Sequence, residues 1–114
     1  MDTINKFLTE TLKTDNIGHG VVIQGIRPHL VCKDGFKISV QASKYNYCSP
    51  RVDGYAIYEA VELGYPNMED ELIADFAEDP DNLTGTVYGY VPVEIVNQLI
   101  EKHGGILESK EAVV

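Results

Sequence analysis

The chain of 114 residues holds two arginines. Arg27 lies in Gly25-Ile26-Arg27-Pro28-His29, where a β-rich run is broken by proline. Arg51 closes Tyr45-Asn46-Tyr47-Cys48-Ser49-Pro50-Arg51, just past an alternating run. Arginine presents a planar fork that matches phosphate. Tyr45, Tyr47, Tyr88 and Tyr90 offer flat faces for a purine, a contact worth about 1–3 kcal/mol per stacked base. Two guanidinium groups at strand ends beside aromatic rings fit a compact nucleotide pocket. His29, Ser49, Phe76 and Thr86 are the further candidate ligand-binding residues. The same residues also admit a plainer reading, in which the tyrosines are amphipathic packing and Arg51 pairs with a carboxylate.

Other chemistries find less support. The three histidines, His19, His29 and His103, sit in a glycine loop, at a strand end and at a helix end. No Gly-x-Ser-x-Gly elbow and no cysteine-protease signature accompanies them, so no catalytic residue is assigned. Cys32 and Cys48 are too few for a disulfide framework, and a structural zinc site needs four ligands, so no metal ligand is assigned. Asp79-x-Asp81 resembles the start of a calcium loop. However, Thr84 stands where that loop needs glycine, and Tyr90 where it needs glutamate. Gly18-x-Gly20 has neither the preceding strand nor the following helix of a phosphate cradle. No cofactor is expected.

The net charge of −9 disfavours a nucleic-acid polymer, whose binding needs many lysine and arginine contacts to phosphate. A small anion needs only a local arrangement of one or two arginines and backbone amides. Acidity also suits solubility, or a basic protein partner. Met1-Asp2-Thr3-Ile4-Asn5-Lys6 has no basic n-region and no apolar h-region, so no signal peptide is expected. No apolar run approaches the ~20 residues of a membrane span. A cytoplasmic protein with reduced thiols is the expectation.

The elements that would position these residues read as one domain, 1–114. It divides into an N-terminal helix and linker (1–18), a core (20–105) and a tail or late strand (106–114). Ile4, Phe7, Leu8 and Leu12 form one helical stripe. Val21 to Ile26 and His29 to Cys32 read as strands separated by Pro28. Asp34-Gly35 is a two-residue hairpin signal. It would set Lys33 opposite Phe36, Val31 opposite Ile38 and His29 opposite Val40, turning His29 toward the core. Phe36, Ile38, Val40 and Ala42 alternate with polar residues as a half-buried strand. Tyr55 to Tyr65 reads as a further strand, with Ile57, Val61, Leu63 and Tyr65 on one face. Asn67 would cap a short helix carrying Met68, Leu72, Ile73 and Phe76, with Glu69, Asp70 and Glu71 in its first turn. Thr86 to Val91 is a strand with Thr86, Tyr88 and Tyr90 on one face and Gly89 allowing close approach on the other. Pro92 opens a last helix to about Lys102, stopped by Gly104-Gly105. The class expected is α+β: a mainly antiparallel sheet of four to five strands with N-terminal and C-terminal helices.

HLVCKDGFKISVQASKYNYCSPR (29–51), YEAVELGYP (58–66) and TVYGYVPVEIVNQLIEKHGG (86–105) resemble the phage Thoeris anti-defence sponge family. The resemblance spans about Gly20 to Gly105. It implies a cytosolic, non-enzymatic binder of cyclic ADP-ribose isomers, with cyclic oligonucleotides as further ligands. It also implies a homo-oligomer, from dimer to hexamer, with ligand sites at subunit interfaces. The arginines would then hold phosphates while tyrosines and Phe76 cover adenine. An alternative is an acidic protein–protein inhibitor of a bacterial defence nuclease.

Overall fold

The computed structural model describes residues 2–12, 14–18, 21–54 and 57–107, with 14–17 and 21–24 described as backbone alone. Asp2 is the N-cap of α1 (Thr3–Glu10) and accepts the Asn5 N–H at 2.9 Å, satisfying one of the amides that a helix start leaves open. Ile4 and Leu8 form the buried stripe of this helix. Asn5 is buried beside them and clamps the Tyr58 backbone, donating to its carbonyl at 3.1 Å and accepting from its N–H at 2.7 Å.

β1 (Thr14–Gly18) and β2 (Val21–Gln24) form a two-stranded antiparallel sheet of their own. β1 falls where a linker was expected, because Thr14-Asp15-Asn16 carries no apolar alternation. A strand therefore does precede Gly18, but a second strand follows, and no helix N-terminus forms there. The main sheet has the order β3 (Leu30–Val31), β4 (Lys37–Gln41), β5 (Ala60–Gly64), β6 (Val87–Pro92), all antiparallel. Its inner face joins the buried sides of α1 and α2 (Val93–Lys102) in one core, which includes Ile38, Val40, Val61, Leu63, Tyr88 and Val96. This is the expected α+β arrangement. Cys32 bridges to Ile106, and the Leu107 N–H donates to the Val31 carbonyl at 2.8 Å, so the start of the expected tail covers the β3 edge. His19, Gly20, Tyr55 and tail residues 108–114 lie outside the described residues. Among those described, no helix is long and apolar enough to cross a membrane.

Four local expectations are corrected. The β3–β4 loop has three residues rather than two: Leu30 faces Ile38 and Val31 faces Lys37. Gly35 adopts φ 95°, and its N–H closes on the Cys32 carbonyl at 3.0 Å. This one-residue slip puts Leu30 and Cys32 in the core and leaves His29 exposed. Burying leucine and cysteine instead of histidine decides the register. Second, residues 67–73 form a bend, an irregular stretch and a turn rather than a helix, and a single 3-10 turn, Ala74–Phe76, follows. Asn67 does not cap a helix. It accepts the Lys37 N–H and donates to the Gly35 carbonyl, each at 2.9 Å. Third, among the described residues 57–65 of the expected 55–65 run, the strand covers Ala60–Gly64, with Tyr58 buried and Ile57 and Tyr65 exposed. Fourth, Tyr90 does not share a face with Thr86 and Tyr88. Leu63 faces Tyr88 while Val61 faces Val91, so β6 carries one extra residue, and Tyr90, at φ 53°, turns outward.

His103, just past α2, ties three segments together. Its ring stacks on Phe36 with centroids 4.1 Å apart. Nδ1 donates to Asp34 at 2.6 Å and Nε2 donates to Asp70 at 2.8 Å, while Lys102 pairs with Asp70 at 3.2 Å. Both ring nitrogens meet carboxylates, so the imidazolium is the form that fits. Burial opposes that charge, but the bonds with Asp34 and Asp70 prevail and raise the His103 pKa above its ordinary 6.5. Asp70 is lowered: burial raises it, but the Leu72 amide, His103 and Lys102 outweigh burial. The latch therefore contributes fully between the ordinary carboxylate value of 3.8 and the ordinary imidazole value of 6.5. Above 6.5 the folded state binds the extra proton, so stability falls as pH rises through the raised His103 value. Below 3.8 it falls as Asp70 is protonated. Urea midpoints measured from acid to alkaline pH should show this plateau, and His103→Gln should flatten the alkaline fall.

Candidate ligand-binding site

The two arginines part company. Arg27 is 3% exposed, with Nε donating to the Leu8 carbonyl at 3.1 Å and Nη1 to the Ala42 carbonyl at 3.0 Å. Gln41 closes the arrangement, accepting the Arg27 N–H and donating to its carbonyl, each at 3.0 Å. Burial lowers the pKa of this guanidinium from the ordinary arginine value. Its fork stitches the end of α1 to the end of β4 and faces no ligand-accessible surface. Arg51 is exposed, and its guanidinium lies over the Tyr47 ring, 5.5 Å from the centroid. Tyr90 stands against the other tyrosine, with ring centroids 5.9 Å apart and planes tilted by 36°.

The β6 bulge builds this cluster. Gly89 has no side chain, and a Cβ there would come within 3.3 Å of the Tyr47 Cβ. The expected close approach at Gly89 is therefore made by Tyr47. The Tyr90 N–H donates to the Tyr47 carbonyl at 2.9 Å, and the Tyr47 N–H donates to the Glu62 carboxylate at 3.0 Å. The 43–48 loop is tightened by Ser43, which donates to Asn46 at 2.6 Å and accepts the Tyr45 N–H at 3.1 Å. Just before a cis Ser49–Pro50 bond, the Ser49 N–H rejoins the sheet at the Ala60 carbonyl, 3.0 Å away.

Beside the cluster, a cavity of about 410 Å³ opens on the outer face of the sheet. Its floor is two cross-strand rows, Ser39–Gly64–Val87 and Gln41–Glu62. Ile26, Tyr45 and Tyr65 rise at its rim, respectively 82%, 79% and 56% exposed. Lys44 lies over Tyr45, 5.2 Å from the ring centroid. Among the described residues, Glu62 is the single charged side chain lining this cavity. The volume and the mix of aromatic rim and polar floor suit one small organic ligand.

Of the residues proposed from the sequence, Tyr45 lines the cavity, and Tyr47, Arg51 and Tyr90 form the adjoining cluster. The others lie elsewhere. Tyr88 is buried and donates to the Leu83 carbonyl; Thr86 is buried and accepts the Asp79 N–H at 3.0 Å. Phe76 packs partly buried against the core, His29 is exposed, and Ser49 serves the backbone bridge to Ala60. Sequence reasoning missed Ser39, Gln41, Glu62 and Gly64 as a floor. The available signal was the polar half of the β4 alternation, which a neighbouring strand had to continue.

Both cysteines are buried thiols. Burial, with Asp34 adding to it, pushes Cys32 up to about 11, and burial likewise raises Cys48, so neither is a ready thiolate at neutral pH. Among the described residues no group of three or more His, Cys, Asp or Glu side chains is arranged to hold a metal ion. The fold and site thus define a small α+β protein with a ligand-sized groove on its sheet. Comparison with family models, with curated proteins and with solved structures returns no match to this chain.

Arg27→Met should remove the guanidinium's buried hydrogen bonds to the Leu8 and Ala42 carbonyls and cost about 2–3 kcal/mol of stability, read as a lower urea midpoint.

Proposed function

We propose that this protein binds and sequesters a small cyclic nucleotide signal, a cyclic ADP-ribose isomer or a cyclic oligonucleotide, and leaves it intact. The observation that carries this reading is the exposed stack of Arg51 on Tyr47, with Tyr90 beside it, at the edge of a cavity of about 410 Å³. Tyrosine faces supply stacking, and Arg51 with Lys44 supplies charge for phosphate. Arg27 leaves the ligand set and becomes a structural residue. The resemblance of the sequence phrases to anti-defence sponges agrees with this chemistry. It extends the proposal to a bacterial cytoplasm, to a non-enzymatic role and to a homo-oligomer. The open side of the groove would then be closed by a second subunit. Lowering a free signal requires an affinity around nanomolar, about −12 kcal/mol.

The inhibitor alternative relies on carboxylate clusters such as Glu69-Asp70-Glu71. Asp70 is buried in the His103 latch, which leaves Glu69 and Glu71 exposed there and weakens that reading.

Incubation with a panel of cyclic nucleotides should raise the melting temperature for at least one, and heat release followed by mass spectrometry should return it unaltered. Tyr47→Ala or Tyr90→Ala should each lose about 1–3 kcal/mol of binding. Arg51→Ala should weaken binding about tenfold through loss of a charge-assisted contact. Retention of full affinity in all three variants, or recovery of a cleaved ligand, would overturn the proposal.

A further inference from the structure

We infer that Glu62 selects the base: the groove takes a guanine-type ring, with two adjacent N–H donors, in preference to adenine. This inference rests on the nucleotide-binding reading and, of the two ligand classes proposed there, favours a guanine-bearing cyclic oligonucleotide over the adenine-bearing cyclic ADP-ribose isomers.

The floor beneath the rim tyrosines is short of donors. Gln41 is committed, its amide nitrogen donating to the Arg27 carbonyl at 3.0 Å and to the Ser39 hydroxyl at 3.2 Å. Ser43 donates to Asn46, and Asn46 in turn donates to Glu62 at 3.1 Å. Beside the Ser39 hydroxyl, whose oxygen already accepts from Gln41, the charged group that the floor offers is the Glu62 carboxylate, which only accepts. Each of its oxygens already receives one bond, from Asn46 Nδ2 and from the Tyr47 N–H at 3.0 Å. Those two bonds hold the carboxylate in place. A carboxylate has about four acceptor positions, so each oxygen retains a further lone pair.

The geometry around Glu62 suits a flat ring. Gly64 stands one inner residue along β5, on the same outer face, and opposite Ser39. A Cβ there would lie 3.5 Å from Val87 and 3.8 Å from Ser39, in the middle of the floor. Without it, a ring can approach the backbone. Guanine presents N1–H and N2–H side by side, a pair of donors for two carboxylate oxygens. Adenine presents a donor beside the N1 acceptor, so one oxygen would face a lone pair. Sites built to pair a ligand's donors reject analogues that lack them, because a polar group is left unpaired. The same carboxylate repels phosphate from the floor. The anionic part of the ligand is thereby directed to Lys44 and Arg51 on the 44–51 loop, above Tyr45 and Tyr47.

The test uses matched pairs differing only in the base: cyclic GMP with cyclic AMP, and cyclic di-GMP with cyclic di-AMP, together with cyclic ADP-ribose. Calorimetry on the full chain should give about 10- to 100-fold tighter binding of the guanine member. Glu62→Gln replaces one acceptor by a donor and should bring the pair ratio close to one, with adenine ligands gaining or holding affinity. Glu62→Asp keeps the charge, withdraws it by one methylene and should lower guanine affinity alone. The readout is the ratio within each pair rather than the absolute affinity, so a general loosening of the 43–48 loop, seen as a lower melting temperature of the unliganded variant, cancels between the two bases. Equal binding of both bases, tighter adenine binding or an unchanged ratio in Glu62→Gln overturns this inference and leaves the sponge reading standing. Absence of binding to every nucleotide overturns both.

Discussion

The extra residue in β6 is the constraint on which the outer face depends. A regular strand would place Tyr88 and Tyr90 on one side of the sheet. The bulge keeps Tyr88 and Val91 both in the core and turns Tyr90 to solvent at φ 53°. Gly89 then presents bare backbone, on which Tyr47 settles. The loop is held there by its exchange with the Tyr90 N–H and the Glu62 carboxylate. Arg51 over Tyr47, Tyr90 beside it, and the orientation of Glu62 follow from that single insertion. Bulges re-aim side chains next to functional sites in this way.

Charge is partitioned with some economy in a chain of net −9. One guanidinium is enclosed and satisfied by backbone carbonyls, where its role is to join α1 to the sheet. The other stands exposed on an aromatic ring. Two carboxylates are likewise drawn out of the surface excess to hold His103, the group that binds the β3–β4 loop, the 67–73 segment and the end of α2 to each other. Composition counts these residues identically, yet they do opposite things. A buried ion needs every lone pair or proton matched, whereas an exposed one is available to a ligand.

Several elements were legible because local physics dominates them. The Ile4/Leu8 stripe, the Phe36–Ala42 alternation and the Pro92 opening and Gly104-Gly105 close of α2 all appear where periodicity and turn chemistry place them. The misreadings share a cause. Asp34-Gly35 invites a two-residue turn, but the hydrophobic demand of Leu30 and Cys32 overrides it by one position. Asn67 and its acidic followers look like a helix start. Yet Asn67 is more useful pairing with the β3–β4 turn, and Asp70 with His103. Capping residues can satisfy distant partners as well as local ones, and the pattern does not say which.

The sequence by itself determined the class of the fold and the gathering of Tyr45, Tyr47 and Arg51 just past the end of one strand. These follow from spacing and residue type, which act over a few positions. Only the tertiary structure decided that Arg27 is interior, that Tyr47 and Tyr90 meet from distant parts of the chain, and that Glu62 lines the floor of a groove. Those outcomes depend on cross-strand register and on one bulge, and a shift of a single residue exchanges every inward side chain for its outward neighbour.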